Sequence, residues 1–313
     1  MSKATAPPVS VVIPTYNRAK TILRAALSVL NQTFGDIELI IVDDGSTDET
    51  LETLRKINDP RMKVLRHERN AGGAAARNTG IKAARGLWVA FQDSDDEWLI
   101  TKLERQLAAL HDAPDLAAVY CGKVVCGRDE QHRYGSRRSY IMPPPEYNVV
   151  SGNLYDVILK SALISTQTLL VSRQKLIDIG GFDERLRIGQ DWDLTLRLSQ
   201  ITPIGFVDEP LVFTTIMGDS ISQVKINQYM TRRIVYNKHK QRINSDSALR
   251  YEFEYAMGSI LQRHGIYSGA RKHLIEAARA NPGNLKTWAR LFLSLVKPDT
   301  GTLPGHIKEA LKD

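Results

Sequence analysis

Three short acidic stretches carry most of the side chains in this chain that could do chemistry. They are Val42-Asp-Asp-Gly-Ser-Thr-Asp48, Phe91-Gln-Asp-Ser-Asp-Asp-Glu-Trp98 and Gly189-Gln-Asp-Trp-Asp193. The middle one is the most informative. Asp93 and Asp95 stand at i and i+2 in a turn after an apolar run, so their carboxylates can converge on one hard cation. Mg2+ and Mn2+ favour oxygen ligands and keep positions open for phosphate oxygens. Adjacent carboxylates repel, so a site this dense is costly unless a cation or strong donors offset it. The bland alternative is an Asp-rich turn capping the next helix, with Asp96 near its N-terminus. A lone D-x-D does not choose between the two.

The other constellations have the same double character. Asp44 can accept a hydrogen bond from a nucleobase N–H and Gly45 lets the chain turn tightly, yet Ser46, Thr47 and Asp48 are also good helix caps. Asn70-Ala-Gly-Gly-Ala-Ala-Ala-Arg-Asn78 is a Gly-rich lead into a helix. Its first N–H groups suit an anion, and Arg77 lies one turn further on; close packing through Gly and Ala would produce the same composition. The spacing is neither the dinucleotide fingerprint nor a P-loop. Asp191, beside Trp192 at a helix start, can be held against a sugar hydroxyl, or Asp191 and Asp193 can simply complement the helix dipole.

The elements that must position these residues follow from periodicity. Val9–Ile13 predicts a strand stopped by Pro14, and Ile37–Val42, Met62–Leu65, Leu87–Gln92 and Leu116–Val125 predict further strands. Helical spacing covers residues 19–33, 48–57 (with Leu51 and Leu54 inward), 72–84 and 99–110. Strands interleaved with such helices predict an α/β fold with a Rossmann-like, mostly parallel sheet flanked by helices, whose ligands gather beyond the C-terminal strand ends. The polar clusters Thr15–Arg18, Asp43–Ser46 and Asp93–Asp96 fall at those ends. Residues 127–150 are polar and Pro-rich and predict a surface loop, and residues 165–215 a second βα-like stretch. Trp192–Leu198 alternates like a strand, but Leu194, Leu198 and Ile201 fit a helix, which is the preferred assignment.

From Gln223 onward the pattern turns helical, which predicts a domain at residues 1–222 and a basic helical C-terminal extension at 223–313. Gly265–Asn284 resembles half a tetratricopeptide repeat, too little for an array. The extension holds 16 Lys and Arg against 7 Asp and Glu, a net of +9, whereas residues 1–222 hold 26 against 28, a net of −2. A solvated helical face explains that excess; attraction to anionic headgroups is the functional alternative. Nucleic acid is not expected, because no helix-turn-helix, zinc-finger or RNP-like pattern accompanies the charge. Cys121 and Cys126 are too few for a disulfide framework and fit a reducing cytoplasm. Neither a secretory h-region nor an apolar run long enough to span a bilayer is visible, so membrane contact is expected to be peripheral, on the inner face.

In this order and in these strand contexts, Val9–Arg18, Val42–Asp48, Asn70–Asn78, Asp93–Asp96 and Gly181–Glu184 with Gln190–Trp192 resemble glycosyltransferase family 2. The resemblance covers roughly residues 8–222 and implies a GT-A fold. It implies an inverting transfer from a nucleotide sugar, with a UDP-sugar the first expectation, to a glycan or lipid-linked acceptor in cell-surface glycan or polysaccharide synthesis. By similarity, Pro14, Thr15, Tyr16 and Asn17 line the nucleotide pocket, with Tyr16 beside the base; Asp44 bonds the base, and Arg77 meets ribose or phosphate oxygens. Asp93 binds the ribose side or shares the metal, and Asp95 ligates Mn2+ or Mg2+. Asp191 is implied as general base, with Gln190 and Trp192 on the acceptor side.

Two positions depart from the family pattern. Gln190 replaces a frequent Glu and cannot act as base, so Asp191 carries that role alone. Between Thr214 and Ser222 no His occurs, and Met217 stands about where many members have a metal-ligating His. The rival readings are a nucleotidyltransferase, disfavoured because Pro14–Arg18 is not a basic Gly-rich loop, and a non-catalytic nucleotide-sugar scaffold.

Overall fold

The computed structural model describes residues 6–126, 139–144, 150–215 and 225–310. Aliphatic runs build the first half of the sheet: Val9–Thr15 (β1), Ile37–Asp43 (β2), Met62–Arg66 (β3) and Trp88–Phe91 (β4) pair in parallel in the order β3-β2-β1-β4. Helices Ile22–Leu30 (α1), Thr50–Arg55 (α2) and Gly73–Ala83 (α3) connect them. Pro14 does not end β1, contrary to the sequence expectation. β4 pairs only with Val9–Val12, so no ladder on that side needs an N–H from residue 14, while Pro14 stays in register with Val42 on the other. On α2 the buried face is Thr50, Thr53 and Leu54, and Leu51 is only half-buried.

The second half of the sheet is mixed. Glu97–Trp98 (β5), Ala118–Cys126 (β6), Ser139–Met142 (β7), Leu169–Ser172 (β8) and Ile204–Thr215 (β9) continue the order as β4-β8-β6-β9-β5, with β7 on β6. Only β6–β9 is parallel here; β4–β8, β6–β8, β5–β9 and β6–β7 are antiparallel. The mostly parallel expectation thus holds for the first half, because strand direction across long connections leaves no periodic trace. β7 also corrects the expectation of a loop over 127–150. Residues 127–138 and 145–149 of that loop, and Met217, lie outside the described residues.

Lys102–Asp112 (α4), Tyr155–Lys160 (α5), Arg173–Asp178 (α6) and Gln190–Ser199 (α7) complete this part. α7 is the preferred helix; its period was ambiguous because nearly every residue from Trp192 to Ser199 is buried. The core between sheet and helices is built on an apolar cluster, with Val11, Ile13, Ala26, Leu39, Ile41 and Leu103 sealed from water.

The chain divides into two compact units, Met1–Glu184 with Gln190–Gly218, and Arg185–Gly189 with Asp219–Asp313. The second is helical: Lys225–Lys238 (α8), Lys240–Asn244 (α9), Ser247–Arg263 (α10), Tyr267–Ala280 (α11), Leu285–Val296 (α12) and Gly305–Ala310 (α13). Ala270, Leu274, Ala277 and Ala278, the residues of the half-repeat pattern, form the buried face of α11. No helix among the described residues is long and apolar enough to cross a membrane.

α3 packs on β1 with the Val12 side chain seated directly against Gly80, where an added Cβ would sit 2.3 Å from a Val12 methyl carbon. Val12 is short, β-branched and fully buried, so it cannot yield. Gly80→Ala gains about 1 kcal/mol of helix propensity but loses about 1–3 kcal/mol to overpacking. We expect net destabilisation, read as a lower urea midpoint at unchanged m-value; an unchanged or raised midpoint contradicts this packing.

Candidate active site

The first two polar loops at the C-terminal edge of the sheet are knitted to each other by hydrogen bonds. Asn17 adopts a left-handed backbone (φ 51°) and its Oδ1 accepts from the Thr47 amide at 2.8 Å. Asn17 N–H donates to Ser46 Oγ, Arg18 N–H to Thr50 Oγ1, and Ala19 N–H to Asp48. Asn17 therefore organises the loop. Tyr16 stands exposed beside it, Pro14 is half-buried, and Thr15 is buried with no partner for its Oγ1 among the described residues.

Asp44 is buried and ties this double loop to α3. Its carboxylate accepts from the Ala71 amide at 2.9 Å and the Gly72 amide at 2.7 Å, and lies 2.7 Å from His67 Nδ1. His67 Nε2 reaches Thr79 Oγ1 on α3. Three of the carboxylate's roughly four acceptor positions are thereby used internally. Gly45, at φ +77°, is required here, since a Cβ would come within 3.0 Å of the Arg69–Asn70 backbone.

Arg77, one turn into α3, is the hub. Its Nη2 donates to Asp93 Oδ1 at 2.6 Å and its Nη1 to Gln190 Oε1 at 2.7 Å, joining residues 113 apart in sequence. Phe182 supports the guanidinium at 5.6 Å and packs edge-on to Phe91 at the end of β4. Asn78 holds Phe182 by accepting from its N–H and donating to its carbonyl. Gly181-Phe182-Asp183-Glu184 thus acts mainly as a rest for Arg77.

The two acids of α7 separate cleanly. Asp193 is fully buried and paired with Arg197 at 2.6 Å, and Arg197 also donates to the carbonyls of Ile179 and Gly181. Asp191 is half-buried; one oxygen accepts from the Trp192 amide at 2.9 Å, and burial raises its pKa against the pull of Lys123 and Arg77. Trp192 does not offer a stacking face. Its indole is buried and its N–H donates to the Ile158 carbonyl at 2.6 Å, because an apolar ring at this helix position is more favourably placed in the core.

Around the D-x-D turn, Asp93 and Asp95 keep about a quarter of their side-chain surface exposed, and Arg18 Nε stands 3.7 Å from Asp95. Asp96 points inward, accepting from Gln167 Nε2 and Thr214 Oγ1, each at 3.0 Å. Burial, with the charges of Asp93 and Asp95 behind it, pushes the Asp96 carboxyl up to about 8. Asp96 thus keeps its proton at neutral pH, and Asp93 and Asp95 are the two ionised carboxylates of the turn, facing Arg77 and Arg18. Among the described residues no group of three or more acidic, His or Cys side chains converges on one point. The donors available, Asp93 and Asp95, fit a cation that takes its other oxygens from a diphosphate and water.

The family model for Glycosyl transferase family 2 matches residues 10–170. A teichuronic acid biosynthesis glycosyltransferase of Bacillus subtilis, itself named as putative, is 31% identical over 259 residues, 82% of this chain and 98% of the relative. The chain belongs to glycosyltransferase family 2. An uncharacterised glycosyltransferase of Rickettsia conorii is 32% identical over 222 residues, 71% of this chain. The match spans only 35%, 30% and 35% of the length of that protein and of its counterparts in Rickettsia bellii and Rickettsia felis. Among solved structures, Staphylococcus aureus TarS 1–349 in complex with UDP-GlcNAc superposes with a TM-score of 0.60 at 22% identity, covering 92% of this chain and 79% of that one. A Pyrobaculum calidifontis mannosyltransferase in complex with GDP-Man and Mn2+ gives a TM-score of 0.57 at 20% identity, covering 98% of this chain and 86% of that one. The fold of this family 2 member is GT-A.

Lys123, Gln167, Thr214 and His67 were not singled out from sequence. Lys123 had a signal, a single cation inside the apolar run Leu116–Val125. It donates to Ser165 Oγ at 2.8 Å, and its charge acts on both Asp96 and Asp191. β9 bulges opposite it, since Cys121, Gly122 and Lys123 pair with Val207, Pro210 and Val212 in turn.

Asp96 also predicts a pH effect on folding. With the carboxyl near 8 in the folded protein against 3.8 as the ordinary value, the folded state holds the proton longer. That contribution is fully present below the ordinary value and is lost as pH rises through the folded one. Asp96→Asn should therefore flatten the loss of stability between pH 5 and pH 8, measured as urea midpoints relative to wild type. A parallel offset at all pH values would show that Asp96 ionises normally.

Proposed function

We propose that this chain is an inverting glycosyltransferase that moves a sugar from a nucleoside-diphosphate sugar to an acceptor hydroxyl, in the synthesis of a cell-surface glycan or polysaccharide. One observation carries the reading: Arg77 grips Asp93 and Gln190 together, which sets Asp191 beside the D-x-D turn. A base for the acceptor and an electropositive rest for the diphosphate thus share one site.

In this reading Asp191 accepts the proton of the acceptor hydroxyl while that oxygen attacks the anomeric carbon. The new glycosidic bond forms on one face as the bond to the diphosphate oxygen breaks on the other, and the electron pair leaves on the nucleoside diphosphate. A single displacement inverts the centre. The raised pKa of Asp191 makes it a better base than an exposed carboxylate. Arg77 and Lys123 place positive charge where the leaving group develops its own. Mn2+ or Mg2+, held by Asp95 with Asp93, would supply neutralisation of the diphosphate when bound. Tyr16 lies beside the base on the platform formed by Pro14, Thr15 and Asn17, and Asp44 keeps one acceptor position for a base N–H. Gln190 remains on the acceptor side, whereas Trp192 supports α7 from beneath.

UDP-sugar donors are the first to test, in keeping with the UDP-GlcNAc of the TarS complex, and a lipid-linked or polymeric acceptor in keeping with the teichuronic acid relative. Residues 1–222 would hold the transfer chemistry and residues 223–313 a separate role. A donor panel read by released nucleoside diphosphate, with and without Mn2+, tests the whole reading; pyrophosphate release from a sugar 1-phosphate and a nucleoside triphosphate would instead indicate a nucleotidyltransferase.

Asp191→Asn should lower kcat by about 10²–10⁴ and leave donor affinity unchanged in titration calorimetry. In the wild type, kcat/KM should rise with pH through a pKa above the ordinary 3.8. Wild-type turnover in the variant removes Asp191 as base. Asp95→Ala should weaken donor binding only when Mn2+ is present; equal affinity with and without the substitution takes Asp95 out of the cation site.

A further inference from the structure

α12 is turned inside out. Its sequence, Leu285-Lys-Thr-Trp-Ala-Arg-Leu-Phe-Leu-Ser-Leu-Val296, has one strongly apolar face, and that face points to solvent. Leu285 is 81% exposed, Trp288 47%, Phe292 66%, Leu295 57% and Val296 59%. The face turned towards the protein is Thr287 and Ser294, both fully buried, with Arg290 and Leu291 between them half-buried.

The inversion is fixed by polar contacts that specify the helix's rotation. Asn284 caps the helix by accepting from the Thr287 amide at 3.3 Å, and Thr287 Oγ1 lies 3.2 Å from Tyr251 Oη on α10. Arg290 Nη1 donates to Gln262 Oε1 at 2.9 Å, and the Gln262 amide donates back to the Arg290 carbonyl at 2.9 Å. Arg271 on α11 donates to the Ser294 carbonyl at 2.6 Å. Rotating α12 to bury its apolar face would break this set and leave buried donors and acceptors unpaired. Even the Trp288 ring is held outward, its N–H bonded to the Pro282 carbonyl at 2.8 Å.

Charge indicates what the face meets. From Ala277 to Pro298 the chain carries Arg279, Lys286, Arg290 and Lys297 and not one Asp or Glu. Lys286 and Lys297, at the two ends of α12, are exposed. A second copy packing this helix face on its own counterpart is a poor occupant, because Lys286 and Lys297 would meet the same two cations and α12 carries no acid to offset them. A helix with Trp, Phe and Leu outward and Lys at its ends matches an interfacial helix lying in an anionic headgroup layer. We propose that α12 is a membrane-surface anchor, sinking Leu285, Trp288, Phe292, Leu295 and Val296 into an anionic phospholipid leaflet. The helix is remote in sequence from the transfer chemistry, so its test does not depend on that reading.

The full chain should co-sediment with vesicles of equimolar phosphatidylglycerol and phosphatidylcholine at low salt, and far less with phosphatidylcholine alone. Phe292→Ser with Leu295→Ser, and separately Lys286→Glu with Lys297→Glu, should each lower the partition coefficient by roughly tenfold or more. All four residues are exposed, so the thermal midpoint should not move. Lipids brominated in the acyl chain should quench Trp288 emission in the wild type, with Trp288→Phe identifying the quenched signal. The proposal is overturned if wild type ignores anionic vesicles, or if the Ser variant binds as tightly as wild type. It is equally overturned if sedimentation velocity shows a dimer that the Ser variant loses while vesicles leave both proteins unbound.

Discussion

The geometry of the site rests on one guanidinium. Arg77 spans from Asp93, at the end of β4, to Gln190, at the start of α7, and nothing in the backbone connects those two points directly. Its position is set from three sides: α3 is locked on β1 through Gly80, Phe182 lies under the guanidinium, and Asn78 fixes Phe182 by its backbone. An Arg suits this place because a planar fork meets two acceptors at fixed angles, which a Lys ammonium does not reproduce. Its rest is itself anchored, since Asp44 clamps the loop from which α3 starts.

Around that hub, near-identical acids do different work because their surroundings differ. Asp193 and Asp191 are two residues apart, yet one is consumed by Arg197 and the other is left desolvated beside Lys123. Asp93, Asp95 and Asp96 likewise divide into two carboxylates about a quarter exposed and one buried carboxyl that holds its proton near neutrality. Neutrality at Asp96 limits the repulsion that three ionised carboxylates on one turn would generate. The second-half strands make this possible, since Gln167 precedes β8 and Thr214 lies on β9, and both bond Asp96.

Much of this was legible in the sequence where a local signal existed. β1, β2 and β4 showed as aliphatic runs, and the acidic clusters at their C-terminal ends marked the site edge. The order of β8, β6 and β9 was not legible, because antiparallel or parallel pairing across dozens of residues is decided by tertiary packing. Trp192 was assigned to an acceptor from its neighbour Asp191; a helix whose inner residues are almost all buried offered no period to correct that. Asp44 and Asn17 resemble ligand contacts in sequence, while the structure gives them joints between loops. A capping interpretation of Ser46 and Asp48 comes close to the same answer, except that the amides they satisfy belong chiefly to the neighbouring loop.

The bulge opposite Gly122 has a consequence for how this chain can vary. Strands alternate sides residue by residue, so Thr214 on β9 faces Asp96 only while β9 contains its extra residues between Val207 and Val212. Removal of one residue there would reverse the side on which every later position of β9 presents itself. The chain length of Asp208 to Leu211 is therefore as much a part of the cleft as any acidic group.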